Sequence, residues 1–249
     1  MAHDGARRGN RQMWNAWSDR YQAEHGDQLD QAGAGWGVWS VPESDVGALG
    51  DVAGRQTLEV GCGAARFSAA LATLGARCVG LDLSDRQLRH ATGKGVTLVQ
   101  GSADQLPFAD SSFDVVFSDH GGVSWADPVD VVAEAARVLR PGGRFVANVS
   151  SPWLIACASP ESGRVESTLH HGYFDQRIVS EEDGAATFTL TYGEWVRAMR
   201  GSGLVVEDLI ELRPRPDATT SYTWYVELDW ARRWPAESLW VASKQGRRS

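Results

Sequence analysis

Cysteine, methionine and basic charge are all scarce in this chain of 249 residues. Nor does any apolar run approach the roughly 20 residues that a membrane-spanning helix needs. The three cysteines, Cys62, Cys78 and Cys157, are odd in number and scattered. That spacing speaks against a disulfide framework or a zinc site and fits a reducing, cytoplasmic setting. The N-terminal MAHDGARRGNRQ lacks the apolar core of a signal peptide. Basic residues number 24 against 32 acidic ones, for a net charge of -8. With no stripe of Lys and Arg to face phosphate, nucleic acid is not an expected partner, and neither is a membrane. Internal repeats and low-complexity tracts are also missing. What the chain does have is eleven tryptophans, large amphipathic rings that line binding surfaces or fill cores. Its length suits one large α/β domain over residues 1–249, with an oligomer possible but not indicated.

The chain is organised around Gln56 to Ser68, QTLEVGCGAARFS. The apolar run Leu58-Glu59-Val60 breaks into Gly61-Cys62-Gly63. Phe67, Ala70, Leu71 and Leu74 then follow at the i, i+3, i+4, i+7 spacing of an amphipathic helix. Strand, glycine turn and helix in that order open a doubly wound sheet, and the helix N-terminus presents unpaired N–H groups to a ligand. A dinucleotide fingerprint would require a third glycine where Arg66 stands. Glu59, two positions before the first glycine, would repel a pyrophosphate but suits a ligand with a cationic end. Cys62 reads as a small filler rather than a nucleophile. The E-x-G-x-G pattern resembles the first motif of the class I S-adenosylmethionine-dependent methyltransferases.

Later stretches extend that resemblance. Cys78 to Ser84 reads as a second strand ending in Asp82, about 20 residues past the glycines, where a carboxylate clamps ribose hydroxyls. Ser84 reads as the N-cap of a helix through Arg89. A third strand, Val96 to Gln100, leads to Gly101-Ser102-Ala103-Asp104-Gln105-Leu106. There Asp104 either accepts hydrogens from an adenine amino group, with Leu106 on the ring face, or closes an Asx-turn. A fourth strand ends near Ser118. Asp127-Pro128 opens a helix with Val131, Val132, Ala135, Val138 and Leu139 on its buried face, and Arg144 to Val149 is the fifth strand. Together LEVGCGAARFS, GLDLS, GSADQLPFADSSFDVVFS and RVLRPGGRFV resemble successive motifs of small-molecule class I methyltransferases, strongly over about residues 55–150. The resemblance implies a Rossmann-like, mainly parallel seven-stranded sheet, S-adenosylmethionine as cofactor and a small-molecule acceptor. It also implies cofactor contacts from Tyr21, Glu59, Gly61, Cys62, Gly63, Asp82, Leu83, Ala103, Asp104, Gln105 and Ser118, with no metal.

The flanks are less defined. Residues 1–9 read as a disordered tail and 26–37 as a loop. Between them Trp14, Trp17 and Tyr21 share one helical face, belonging either to a helix packed on the sheet or to a lid over the ligand. Residues 1–54 would form this helical cap, 55–150 the cofactor half and 151–249 the substrate side with the last two strands. Pro42-Glu43 starts a short helix. Thr191 and Glu194 form a capping box before a helix whose Tyr192, Trp195, Val196 and Met199 share a face. Leu204 to Leu212 and Glu237 to Ser243 are the final strands. The loop-like stretches 151–190 and 213–235 build the acceptor side, since function collects on loops carried by a sheet.

Methyl transfer needs no invariant nucleophile, only geometry, exclusion of water and, for a hydroxyl acceptor, a base. His120, directly after the fourth strand, is the candidate base; alternatively it hydrogen-bonds cofactor or backbone. His25 is a weaker candidate, and His170-His171 with Asp175 gives little reason to expect a metal. Three further readings stay open: an NAD-type oxidoreductase, a non-catalytic S-adenosylmethionine-binding protein, and a protein or RNA methyltransferase.

Overall fold

Alternating strand and helix patterns assemble as their order implies. The structure, a computed structural model, describes residues 2–91, 93–180 and 185–246. Seven strands form the central sheet: β1 (Gln56–Val60), β2 (Arg77–Asp82), β3 (Thr97–Gln100), β4 (Phe113–Asp119), β5 (Leu139–Ser150), β6 (Leu204–Leu212) and β7 (Glu237–Lys244). Their spatial order is β3-β2-β1-β4-β5-β7-β6; β7 runs antiparallel to both neighbours and every other pairing is parallel. Strand order reverses between β1 and β4, and the crevice beyond their carboxyl ends is where such sheets take ligands.

The helices among the described residues are α1 (Ala2–Ala32), α2 (Glu43–Val46), α3 (Arg66–Thr73), α4 (Asp85–His90), α5 (Gly122–Trp125), α6 (Pro128–Val138), α7 (Pro152–Ala156), α8 (Tyr192–Gly201) and α9 (Leu228–Ala231). Three predicted caps are present. Ser84 Oγ accepts from Gln87 N at 3.1 Å, Asp127 accepts from Val129 N at 3.0 Å, and Thr191 with Glu194 completes a capping box. The buried face of α6 follows its predicted spacing at Val131, Val132, Ala135 and Val138, whereas Leu139, expected on that face, is buried as the first residue of β5, which begins earlier than the expected Arg144. One core layer joins these residues to Leu58, Val116, Trp195, Met199 and Trp240; the other gathers Trp36, Phe67, Leu71, Phe117 and Leu239. Each of the larger side chains contributes about 1.5–3 kcal/mol by leaving water.

Several expectations are corrected. Residues 2–9 are not a disordered tail but the first turns of α1 (Met1 lies outside the described residues), and α1 runs on to Ala32 through much of the expected loop 26–37. Polar contacts hold this end. Asn10, fully buried, donates to Trp125 O at 2.7 Å and Ala186 O at 2.9 Å and accepts from Ala186 N at 2.7 Å. No apolar stripe records such anchoring. Helix α3 ends at Thr73, so Leu74 caps it exposed rather than packing inward. On α8 Val196 faces solvent, and Ala198 takes the buried place beside Trp195 and Met199. The loop-like stretch 151–190 contains α7 and a hairpin of Ile178–Ser180 with Ala186–Phe188, though its residues 181–184 lie outside the described residues; 213–235 contains α9.

Candidate active site

Beyond β1 the backbone turns at Gly61, φ 77°, with Gly61 N and Cys62 N both donating to Leu81 O, at 2.7 and 2.9 Å. A side chain is impossible here. A Cβ on Gly61 would lie 2.6 Å from the Gly121 carbonyl carbon, and one on Gly121 would lie 2.7 Å from Val60 O. The β1 and β4 loops therefore sit back to back. Gly63 N donates to Asp82 Oδ2 and Ser84 N to Asp82 Oδ1, both at 2.8 Å, so the carboxylate at the end of β2 ties the glycine turn to its own loop. Burial pushes Asp82 up to about 6, against the pull of those N–H donors. Glu59, at the end of β1, accepts from Ser68 N at 3.0 Å within α3, and burial pushes it up to about 8. Cys62 is buried, and burial raises its thiol well above the ordinary value, which suits a filler and not a nucleophile.

A second constellation stands at the end of β4. His120 holds a left-handed conformation, φ 49°, with its N–H bonded to Asn148 O at 3.0 Å. Its Nε2 lies 2.5 Å from Glu237 Oε1 at the start of β7, and the Glu237 side chain is only 1% exposed. Asp119 accepts from Gly37 N at 3.0 Å and from Asn148 Nδ2 at 2.7 Å; Val38 N donates to Glu237 Oε1 at 3.1 Å. Burial pushes Asp119 up to about 6, opposed by the neighbouring His120 and Asn148. Burial by itself lowers His120, but the hydrogen bond and charge of Glu237, with Asp119, outweigh it and leave the imidazole above its ordinary value.

Two cavities meet at these residues. The smaller, about 120 Å³, is lined by Asp82, Leu83, Gly101, Ser102 and Ala103; the larger, about 1030 Å³, by Glu59, Cys62, His25, Tyr222, Tyr225 and Trp195. Trp14, Tyr21, Gly61, Gly63, Asp119, His120 and Trp125 border both. Helix α1 supplies the outer wall. Trp14 meets Tyr21 and Trp125 edge-on at 5.3 and 5.2 Å, and Tyr21 Oη lies 2.6 Å from Tyr222 Oη. Burial pushes the Tyr21 phenol up to about 12. His25 stacks on Tyr222 at 3.9 Å and bonds Ser221 Oγ at 2.8 Å, and burial lowers its pKa. Asn15 fastens α1 to the Asp82 loop, accepting from Ser84 Oγ at 2.6 Å and donating to Asp85 at 3.0 Å.

The predicted cofactor residues thus fall into two groups. Tyr21, Glu59, Gly61, Cys62, Gly63, Asp82, Leu83 and Ala103 all border the cavities. The other three do not. Asp104 pairs with Arg7 of α1 at 2.9 Å and accepts from Ser102 Oγ. Against its burial, those two partners hold it below the ordinary carboxylate value. Gln105 is exposed and accepts from Arg7 at 3.2 Å, and Ser118 is buried with its hydroxyl on Val60 O at 2.7 Å. Tyr222 and Tyr225 come from the stretch 213–235 expected on the acceptor side, whereas Glu237 and Asn148 escaped the sequence reading. The one available signal was Glu237 itself, an acid opening an otherwise apolar strand.

Comparison with known proteins gives this geometry its context. Residues 58–147 match the family described as a methyltransferase domain. A demethylmenaquinone methyltransferase of Mycobacterium sp. (strain KMS) is 42% identical over 99 residues, 40% of this chain and 43% of that protein. A malonyl-(acyl-carrier protein) O-methyltransferase of Methylococcus capsulatus is 33% identical over 141 residues, 53% of this chain and 51% of that protein. The chain spans about half the length of the curated relatives it matches. An S-adenosylmethionine dependent methyltransferase from Mesorhizobium loti shares the fold with a TM-score of 0.69 at 24% identity, over 84% of this chain and 99% of that one. The central sheet is the Rossmann-like sheet of these enzymes, and the family match runs from β1 into β5.

Proposed function

We propose that this chain, a class I methyltransferase by its fold and its 58–147 segment, carries a methyl group from S-adenosylmethionine to a small planar or amphipathic molecule. The observation that carries this reading is the pair of cavities with a common wall at Gly61, Gly63, Asp119 and His120. One is framed by a ribose-clamping acid and a glycine turn; the other carries the rings of Trp14, Tyr21, Trp125, Trp195, Tyr222 and Tyr225 on its wall. Bound S-adenosylmethionine would supply an electrophilic methyl on a sulfonium. The residues fit it. Gly61 and Gly63 bring bare backbone to the cavity walls, Asp82 keeps lone pairs for the ribose hydroxyls, and Glu59 suits a cationic end. Tyr21, Cys62, Leu83 and Ala103 complete that wall. Asp104, Gln105 and Ser118 act from behind it, through the Ser102–Ala103 loop and the β1–β4 junction.

Helix α1 is the lid of a single domain over residues 1–249, and its aromatic face keeps water from the transfer. His120 is the base for a hydroxyl acceptor. No helix among the described residues is long and apolar enough to cross a membrane. The reading takes the protein as cytoplasmic, with no nucleic-acid partner.

Calorimetry with S-adenosylmethionine, its demethylated product and NAD tests the donor. Labelled donor with a panel of ring-bearing hydroxyl and amine acceptors tests transfer. The panel includes demethylmenaquinone and malonyl-(acyl-carrier protein), the compounds in the relatives' names. Donor binding with label transfer to a ring-bearing acceptor supports the reading; tight NAD binding with no S-adenosylmethionine signal overturns it.

A further inference from the structure

We infer that Glu237 is a positioning residue: it holds the proton of the neutral His120 ring on Nε2 and so leaves Nδ1 as the basic nitrogen of the acceptor cavity. This deepens the proposed function and rests on it for the use of that nitrogen, though not for its state. Glu237 comes from β7, more than a hundred residues along the chain from His120, yet its Oε1 lies 2.5 Å from Nε2. The carboxylate is 1% exposed, and its Oε1 also takes Val38 N at 3.1 Å and Asn148 Nδ2 at 3.3 Å, so its position is set from three sides. The segment at Gly37 is shaped around it, since a Cβ there would run into the Glu237 carboxylate. An acceptor-only carboxylate demands hydrogen on the nitrogen facing it. Nδ1 has no bond partner among the described residues, on a ring that borders both cavities.

A proton taken from an acceptor hydroxyl at Nδ1 gives an imidazolium whose charge faces Glu237, and the proton then leaves to water. The groups around this ring are Glu237 on β7, Asp119 on β4 and Tyr225 from the segment before α9, whose ring centre is 5.8 Å away and whose phenol stays neutral through burial. The Gly37–Val38 segment presents only backbone N–H groups to Asp119 and Glu237. Asp119 is bound to Gly37 and Asn148, so among the described residues Glu237 is the one carboxylate hydrogen-bonded to the imidazole.

Nitrogen-15 spectra of the histidine rings in the full chain, without added ligand, decide the matter. Comparison with His120→Ala assigns the signal. Above its titration midpoint the His120 ring should show hydrogen on Nε2 and a bare Nδ1; hydrogen on Nδ1 instead overturns the inference without any mutation of Glu237. In Glu237→Gln the amide can still accept from Nε2 but carries no charge, so the His120 midpoint should fall by about one pH unit or more. Glu237→Asp keeps the charge at longer range and should restore part of the shift. A midpoint unmoved in a folded Glu237→Gln protein also overturns it. Loss of label transfer in His120→Ala is a separate readout. If transfer survives there while the spectra behave as described, Glu237 still positions the ring and the base assignment fails instead.

Discussion

Glu59 is protonated at neutral pH, because burial at the end of β1 lifts it to about 8 from an ordinary 4.5. A ligand bringing an ammonium and a sulfonium to the same cavity favours the carboxylate, so binding S-adenosylmethionine near pH 7 should release up to about one proton per site. Calorimetry in two buffers of different ionisation enthalpy measures this, and equal heats in both would contradict it. The same elevation acts on folding. A raised pKa stabilises the native state fully below pH 4.5, and that contribution is lost as pH climbs through 8, so melting of the free protein should drift downward across that window and drift less with cofactor. Asp82→Ala unpairs Gly63 N and Ser84 N and, in the proposed complex, the ribose hydroxyls, and should cost about 2–4 kcal/mol of cofactor affinity with an intact circular dichroism spectrum. His120→Ala should lower turnover on a hydroxyl acceptor about 10²- to 10⁴-fold while leaving cofactor affinity nearly unchanged. In the unaltered enzyme that rate should rise with pH through a midpoint above histidine's ordinary value, since only the neutral ring accepts a proton. The places of Asp82 and His120 at the crevice were legible because Asp82 closes an apolar strand and His120 follows one directly. Glu237 was not, because what makes it part of the site is a strand pairing far along the chain, Glu237 opposite Ser150.

The elements divide by what holds them. Helices α6 and α8 bury apolar faces and carry side-chain caps, so their spacing and end residues could be read directly. Thr191→Ala removes one half of the capping box, whose other half is Glu194 Oε2 accepting from Thr191 N at 2.8 Å, and should cost about 1 kcal/mol in chemical denaturation. Helix α1 is held instead by carboxamides and ion pairs to loops scattered along the chain: Asn10 to Ala186, Asn15 to Ser84, Gln22 to Gln87, Arg66 to Asp30. No periodicity records those partners, so its first turns looked like a tail. Asn10→Ala should leave the Ala186 N–H and two carbonyls without a partner in a closed setting, a loss of about 1–3 kcal/mol. Faster hydrogen exchange confined to α1 and the hairpin at Ala186–Phe188 would show it; unchanged exchange would mean that other contacts carry the lid.

At the scale of the molecule, the alternation of strands and helices implied a doubly wound sheet, and the spacing of Trp14, Trp17 and Tyr21 offered a lid as one of two readings, whereas the polar contacts that fix α1 over the crevice left no trace in that spacing. Ligand that fills the crevice is bound by the native state alone, so S-adenosylmethionine at a hundredfold its dissociation constant should add about 2.7 kcal/mol of stability, read as a rise in melting temperature. The back-to-back glycines have a consequence of another kind. Gly61 belongs to the turn proposed to hold the donor and Gly121 to the loop that carries His120, and no side chain lies between them to absorb a displacement. Whatever moves one loop is transmitted to the other as a rigid push. Occupancy of the two cavities is then not independent: the demethylated product should change acceptor affinity, and the acceptor must change the product's affinity by the same factor, as thermodynamic reciprocity requires.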